Sequence, residues 1–300
     1  MYSGSMELWI AFTLLAVIMQ SVRTAGQKQI ARSVSAQAAT LVRYLFGLPF
    51  SLLYFYFLKH YYEIDSIAPS WTFYRAASLA GISQIIATVC LVKSLSIRNF
   101  AVATALAKTE AILTAIIGAL FFSAALSWLA YVSVIIGVVG VLVASNWKIS
   151  LADFSENKSI AYGFGAGLGF ALASLWLRQA SLSLELPRLL SASAVLAYMV
   201  VMQTIICLVW IGILEREQFA LIVNRIKASL FIGVTSVAGS IGWFTAMSLQ
   251  NAAVVKTLGQ TEFVVTLIIT YLYFGERISA REYIGILLVA FSIMLLLFAT

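Results

Sequence analysis

The chain alternates long apolar runs with short polar separators. A helix needs about 20 apolar residues to cross the hydrocarbon layer of a bilayer, and ten runs of that length follow one another. The pattern predicts an all-α polytopic membrane protein with ten transmembrane helices. We place these helices at residues 7–30, 36–58, 71–93, 99–121, 126–146, 160–182, 189–213, 227–248, 252–274 and 280–299.

An internal duplication divides the chain into two halves. Residues 96–131 align without a gap on residues 248–283, at an offset of 152, with 14 identities in 36 positions. Chance would give only about three or four in so apolar a composition. Each copy holds five predicted spans, so the second copy enters the membrane from the opposite side. We therefore predict two inverted five-helix repeats, residues 6–150 and 151–300, an arrangement typical of secondary transporters.

Composition supports a membrane protein and excludes an ordinary soluble one. Hydrophobic residues make up 62% of the chain, charged residues 10%, and the mean hydropathy is +0.99. The lysine and arginine residues that give the net charge of +7 are scattered at the ends of the apolar runs, which indicates contact with the membrane surface and not with nucleic acid.

Cys90 and Cys207 lie in apolar segments without ligand-type spacing, so we predict no metal site and no cofactor. Residues 1–5 are expected to be a cloning remnant, with Met6 as the natural start.

Four of the charged side chains inside the apolar runs are the main candidates for function. Lys108 and Glu110 belong to the first repeat, and Lys256 and Glu262 to the second. A charge at the centre of a bilayer costs about 2.5 to 3.5 kcal/mol on insertion scales, so such a residue is functional by default. For the two glutamates, contact with substrate or a proton stands beside a second interpretation, a structural ion pair.

The glutamates occupy equivalent positions of the two copies, whereas the lysines do not. The offset pairs Lys108 with Gln260, and Thr104 with Lys256. On continuous helices Lys256 and Gln260 would point the same way, as would Thr104 and Lys108, because residues four apart share a face. Glu110 is only two residues from Lys108, on a different face, so its partner is expected from another helix.

Polar and aromatic residues on several other helices predict a wet central cavity. A cavity rich in lysine and arginine suits a small anionic or zwitterionic metabolite, such as an amino acid, and repels a bare cation. The predicted substrate-binding residues are Lys108, Lys256, Gln260, Thr104, Arg23, Gln84, Trp243 and Ser240; Glu110 and Glu262 are the coupling or structural charges. Gln20, Arg43 and Arg178 are further polar residues in the spans.

A short motif near the end of the chain resembles a known family. The run Phe274-Gly275-Glu276-Arg277-Ile278-Ser279 follows Glu262 and precedes a span that contains Gly285. With Arg43-Tyr44 in the second span, it is similar to the pattern of the EamA-type drug/metabolite transporter family. The resemblance implies a membrane transporter and leaves the substrate open, since that family moves many classes of small molecule. The chain departs from the family at Ala111 and Phe263, where proline is common, and at Ser123-Ala124-Ala125, which replaces Gly-Glu-Arg in the first copy.

These observations favour a secondary transporter that works by alternating access, with proton-coupled export of an amino-acid-like metabolite. A multidrug exporter and an exchanger of phosphorylated or nucleotide-linked metabolites remain alternatives, as does a membrane assembly component without flux. We predict no enzyme, because the aspartates and the one histidine lie outside the apolar runs and form no catalytic constellation. The expected partners are a small metabolite, protons and the lipid bilayer. The expected state is a monomer or weak dimer in a bacterial inner membrane.

Overall fold

The computed structural model describes residues 3–31, 33–95, 106–145, 158–274 and 279–299. Regular structure in these ranges is α-helical. The helices are α1 (Ser3–Ile30), α2 (Ala36–Leu45), α3 (Leu48–Tyr61), α4 (Trp71–Leu95), α5 (Glu110–Phe121), α6 (Trp128–Ala144), α7 (Lys158–Leu182), α8 (Arg188–Leu214), α9 (Gln218–Asn224), α10 (Ile226–Leu249), α11 (Ala252–Leu258), α12 (Thr261–Phe274) and α13 (Ala280–Ala299).

Six helical segments of the described chain are long and apolar enough to cross a membrane. They are Ala36–Tyr61, Trp71–Ser94, Ile160–Leu182, Arg188–Leu214, Ile226–Leu249 and Ala280–Ala299. Three further apolar helical segments are shorter: Leu8–Thr24, Glu110–Phe121 and Trp128–Ala144. Large apolar side chains such as Leu53, Phe121 and Ile213 are exposed, as expected for helices that face lipid.

Three of the predicted spans are not single continuous helices; the fourth is interrupted at Lys108 and Thr109, before α5 begins. The second span is divided between α2 and α3, with Phe46 and Gly47 at the junction. Pro49 lies in the first turn of α3, where its missing N–H and fixed φ favour a helix start over a helix interior. The ninth span is divided between α11 and α12. The polar separator predicted near residue 215 also contains a short helix, α9, which buries Ile222.

The helices pack in pairs that join the two halves of the chain. The closest pairs are α1 with α10, α4 with α7, and α6 with α13; α8 also packs on α2 and α3, and α5 on α11. The offset of the duplication exchanges the first two pairs with each other, and it maps the α6–α13 pair and the contact of α8 with α2 and α3 onto themselves. The packing is thus what a two-fold relation between the halves requires.

Small residues let α6 and α13 approach closely. Ser133 Oγ donates to the carbonyl of Ser292 at 2.8 Å, and Ser292 Oγ donates to the carbonyl of Ser133 at the same distance. Two helical turns away, Gly140 faces Gly285, where a Cβ atom added at residue 285 would lie 2.6 Å from the Gly140 carbonyl oxygen. Without a hydrophobic effect between helices in lipid, such close backbone contact is a main source of helix association.

We therefore expect Gly285→Ala to destabilise the protein by about 1 to 3 kcal/mol, because the new methyl group overpacks the contact. Gly212→Ala is the matched control, since a Cβ atom there meets no atom within 4 Å. Thermal unfolding in detergent micelles measures both. Equal unfolding temperatures for the two variants would contradict the close contact between α6 and α13.

Candidate functional site

Both copies of the duplicated segment break their helix immediately before the glutamate. In the first copy, the Thr109 N–H donates to the carbonyl of Leu106 at 3.0 Å, and α5 begins at Glu110. In the second copy, the Gln260 N–H donates to the carbonyl of Thr257 at 3.1 Å, and α12 begins at Thr261. These bonds span three residues, as in a 3₁₀ turn, which inside a helix often marks a functional position.

The second break depends on a glycine. A Cβ atom added at Gly259 would lie 2.4 Å from Cη2 of Trp243. The indole of Trp243, on α10, therefore lies directly against the backbone at the end of α11. A larger residue at 259 would have to displace the ring, so Gly259 and Trp243 together fix the position of the break.

Two ion pairs cross between the broken helices. Lys108 Nζ of the first half lies 2.5 Å from Glu262 Oε2 of the second, and Lys256 of the second half pairs with Glu110 of the first. Each equivalent glutamate thus takes a lysine from the opposite half. The prediction that Glu110 finds its partner on another helix is confirmed. Because both lysines are paired within the chain, the carboxylates that balance them are those of the two glutamates in this conformation.

Helix dipoles support the same arrangement. Glu110 and Glu262 lie in the first turns of α5 and α12. The N-terminus of a helix carries a partial positive charge and unbonded N–H groups, which stabilise an anion. Each break therefore creates a new helix start at the place where a carboxylate is held.

Gln20 of α1 connects the ion pairs to the aromatic ring. Its amide nitrogen donates to Glu262 Oε2 at 2.8 Å, and its amide oxygen accepts from Trp243 Nε1 at 2.9 Å. The ring of Trp243 in turn lies 4.3 Å, measured to its centroid, from Lys256 Nζ, within the range of a cation–π interaction. A single network thus joins both ion pairs through α1 and α10.

A small cavity of about 30 Å³ lies between these groups. Pockets that bind small molecules usually measure about 300 to 1,000 Å³, so this cavity is far smaller than a typical metabolite site. Its lining consists of Gln20, Lys108, Glu110, Ala111, Trp243, Lys256, Gly259, Gln260 and Glu262.

A model described as the EamA-like transporter family matches the chain twice, over residues 7–146 and 157–298. The chain belongs to the EamA-like transporter family. The resemblance seen in the sequence is confirmed, and the protein is a membrane transporter of the drug/metabolite transporter superfamily. The Gly-Glu-Arg motif that contributed to the resemblance, within residues 275–278, lies outside the described residues.

Solved structures support the fold of this EamA-like protein. Twenty-seven solved chains match it. One, described only as the crystal structure of a protein, aligns over 100% of both chains with a TM-score of 0.73 and 12% sequence identity. At that identity the likeness shows the fold alone. No curated protein matches the chain.

The EamA-like chain keeps its second break although it lacks the proline that the family pattern often has there. The Phe263 N–H donates to the carbonyl of Gln260 at 3.0 Å, a bond that a proline at 263 would remove. Gly259 and the three-residue hydrogen bonds hold the turn instead. The departure at Phe263 therefore changes how the break is made and leaves the break in place.

Gln260 lies at the cavity, but the expected geometry with Lys256 was wrong. The helix break lies between the two residues, so the spacing of a continuous helix does not apply. Gln260 extends toward α6 and α13, since a Cβ atom at Gly137 would lie 2.2 Å from its amide oxygen, whereas Lys256 lies over Trp243. Neither polar atom of the buried Gln260 amide has a hydrogen-bond partner in the described structure.

Three other predicted substrate-binding residues, Arg23, Gln84 and Ser240, do not line the cavity. Arg23 is buried on α1, one turn from Gln20. Gln84 accepts a hydrogen bond from Gln203 of α8 at 2.9 Å, and Ser240 is buried on α10; neither lines the cavity. Thr104 lies outside the described residues.

Arg178 and Arg43 have local partners. Arg178 donates to the carbonyls of Met247 and Gln250, at the C-terminal end of α10, where a cation satisfies free carbonyl groups. Arg43 is buried and donates to Thr88 Oγ1 at 3.1 Å. Arg178 therefore serves packing at a helix end and not the central cavity.

Sequence reasoning underrated two residues of the site, Gln20 and Gly259. Gln20 was recognisable as a polar residue in an apolar run, but its hydrogen bonds to both Glu262 and Trp243 depend on which helices face α1. Gly259, beside the Gln-Thr-Glu motif, is the kind of helix interruption that marks a transporter binding site when both halves carry one. The first half has no such glycine, so the symmetry of the breaks was not visible in the sequence.

The crossed pairs lead to a stability prediction. We expect Lys256→Met and Glu110→Gln each to destabilise the protein by about 3 kcal/mol, because each leaves one mostly buried charge without its partner. The double variant is expected to regain most of that loss, since both charges are gone.

Thermal unfolding of the four proteins of this double-mutant cycle in detergent measures the coupling. Lys227→Met, at an exposed position, is the control for removal of a lysine. Additive effects of the two substitutions would contradict a direct ion pair between Lys256 and Glu110.

Proposed function

We propose that this protein is a secondary active transporter of a small anionic or zwitterionic metabolite, amino-acid-like in character, that works by alternating access. The proposal includes ten transmembrane helices in two inverted five-helix repeats and proton-coupled export from a bacterial cell across the inner membrane. The single observation that carries it is the pair of crossed ion pairs, Lys108 with Glu262 and Lys256 with Glu110.

The crossed pairs support alternating access because each connects one half of the chain to the other. When one inverted repeat rocks against its partner, contacts at their interface must break and form again. Two ion pairs that meet at the broken helices are well placed to hold the halves together in one state. A substrate that replaces one partner of a pair would release that connection, so substrate binding and movement become linked.

The charge balance supports an anionic or zwitterionic substrate. Two lysines and two glutamates cancel, whereas Arg23 adds a buried positive charge one helical turn from Gln20. A carboxylate from the substrate would offset this surplus, and an ammonium group on the same molecule would take the place of a lysine at a glutamate. A bare cation would meet only the surplus positive charge.

The small cavity and the unpartnered Gln260 support substrate entry at this place. A cavity of about 30 Å³ is too small for a metabolite, so a substrate would need the ion pairs to open. Opening the pairs would enlarge the cavity and expose the Gln260 amide, which has no hydrogen-bond partner in the described structure. Lys108 is the more accessible lysine, with 30% of its side chain exposed against 12% for Lys256.

Flux into proteoliposomes tests the role of the lysines. With a panel of radiolabelled amino acids and carboxylates, we expect Lys108→Ala and Lys256→Ala each to reduce the uptake of the accepted substrate at least about tenfold, the equivalent of one lost charge-assisted hydrogen bond. Lys227→Ala, which removes an exposed lysine, is expected to keep wild-type flux. Wild-type uptake and affinity in both site variants would contradict the proposed site.

Proton coupling is tested at the glutamates. A carboxylate that carries the proton must gain and lose it during the cycle, and glutamine can do neither. We expect Glu110→Gln or Glu262→Gln to retain counterflow at raised substrate concentration, because glutamine still accepts a hydrogen bond from the substrate ammonium, and to lose accumulation driven by a pH gradient. Glu185→Gln at an exposed loop position is the control. Gradient-driven accumulation that survives in both variants would rule out coupling through these residues.

A further inference from the structure

A second buried polar cluster lies beside the ion pairs, where α1 and α2 meet α4. Arg23 and Gln27 project from α1, Arg43 from the last turn of α2, and Thr88 from α4. Arg23, Gln27 and Arg43 are 4%, 2% and 5% exposed. The central network described above does not use Gln27, Arg43 or Thr88, and none of them lines the small cavity.

The cluster has more positive charge than its neighbours balance. Arg23 and Arg43 are both buried, on helices α1 and α2, which contribute Ile30 and Leu41 to one apolar core with Val92 of α4. Gln20, one turn from Arg23 on α1, binds the carboxylate of Glu262. Glu262 is already bound by Lys108 and by Gln20. In the described part of the chain, neither guanidinium forms an ion pair of its own.

Hydrogen-bond donors in the same cluster are also unused. Arg23 Nε and Gln27 Nε2 are buried and have no partner in the described structure. Arg43 uses one nitrogen on Thr88, and its guanidinium carbon lies 5.3 Å from the centroid of the Tyr44 ring. A buried charge or donor without a partner costs several kcal/mol, so the cluster is complementary to an anion that accepts several hydrogen bonds.

The cluster lies where a substrate would pass before it reaches the ion pairs. Arg23 lies three residues beyond Gln20 on α1, about 4.5 Å along the helix, and Gln27 about 6 Å further. Arg43 lies seven residues from the start of its span at Ala36, so it is about 10 Å below that end of the helix. The cluster therefore lies between the ion pairs and the place where α1 ends at Ile30 and α2 begins at Ala36.

We propose that Arg23 and Arg43, with Gln27, form a second binding subsite that receives a carboxylate, the anionic end of the transported molecule. Guanidinium groups match the two oxygens of a carboxylate, which accepts paired hydrogen bonds from them. The subsite rests on the proposed function, because it assigns the carboxylate of the substrate to the arginines and leaves the lysine–glutamate pairs to the rest of the molecule.

Binding of acetate tests the subsite without transport. Thermal unfolding of the purified protein in detergent would be followed while sodium acetate replaces a sodium salt of a bulky sulfonate, such as HEPES, at constant sodium concentration and pH. We expect a saturable rise in unfolding temperature in the wild-type protein, because a ligand stabilises the state that it binds. Arg23→Gln and Arg43→Gln are expected to weaken apparent acetate affinity at least about tenfold, the loss of one charge-assisted contact.

Matched variants make the result specific. Arg225→Gln removes an exposed arginine and is expected to leave the acetate effect unchanged. Gln27→Leu, a milder change that keeps both charges, is expected to weaken acetate binding about threefold to tenfold, so the proposal stays testable if the arginine variants fold poorly.

Three outcomes would overturn the subsite. They are no acetate effect in the wild-type protein, an acetate effect that survives in Arg23→Gln, Arg43→Gln and Gln27→Leu, and stabilisation by chloride but not by acetate, which would indicate a resident inorganic ion. Failure of the subsite is distinguishable from failure of the transporter proposal, because flux that depends on Lys108 and Lys256 is measured separately.

Discussion

The cost of a buried charge in a membrane is the constraint on which this structure depends. Lipid offers no water to a lysine or a glutamate, so each charge that enters the interior needs a partner from the protein or the substrate. The chain meets this requirement across its two halves, Lys108 with Glu262 and Lys256 with Glu110. The same contacts that remove the electrostatic cost therefore also hold the halves together.

The broken helices make this arrangement possible. A continuous helix at residues 252–274 would place Glu262 within an uninterrupted hydrogen-bond ladder. The break at Gly259 instead gives Glu262 a helix start, and the first half does the same for Glu110. The Trp243 ring against Gly259 and the Gln20 amide then connect the breaks to the long helices around them, so a change at the ion pairs reaches α1 and α10 directly.

The two copies of the duplicated segment carry their lysines at different positions, and this difference determines which groups the site presents. The two glutamates are equivalent, whereas the lysines stand four residues apart in the aligned repeat, opposite Gln260 and Thr104. A strictly symmetric site would present the same groups to both sides of the membrane. The unequal lysines, together with the extra charge of Arg23 on α1, make the site asymmetric and give it a positive surplus, which is the basis of the proposed preference for carboxylates.

The sequence by itself determined the helical membrane fold, the duplication and the identity of the buried charges. Each depends on composition or on residue spacing, which are local properties of the chain, and the family motif added the transporter class. The tertiary structure decided which charges pair, where three predicted spans break, and that Gln260 leaves the face it would share with Lys256. Those features arise from contacts between residues far apart in the chain, such as Trp243 with Gly259 and Gln20 with Glu262. No periodicity within a single helix encodes such contacts, because they depend on which helices become neighbours.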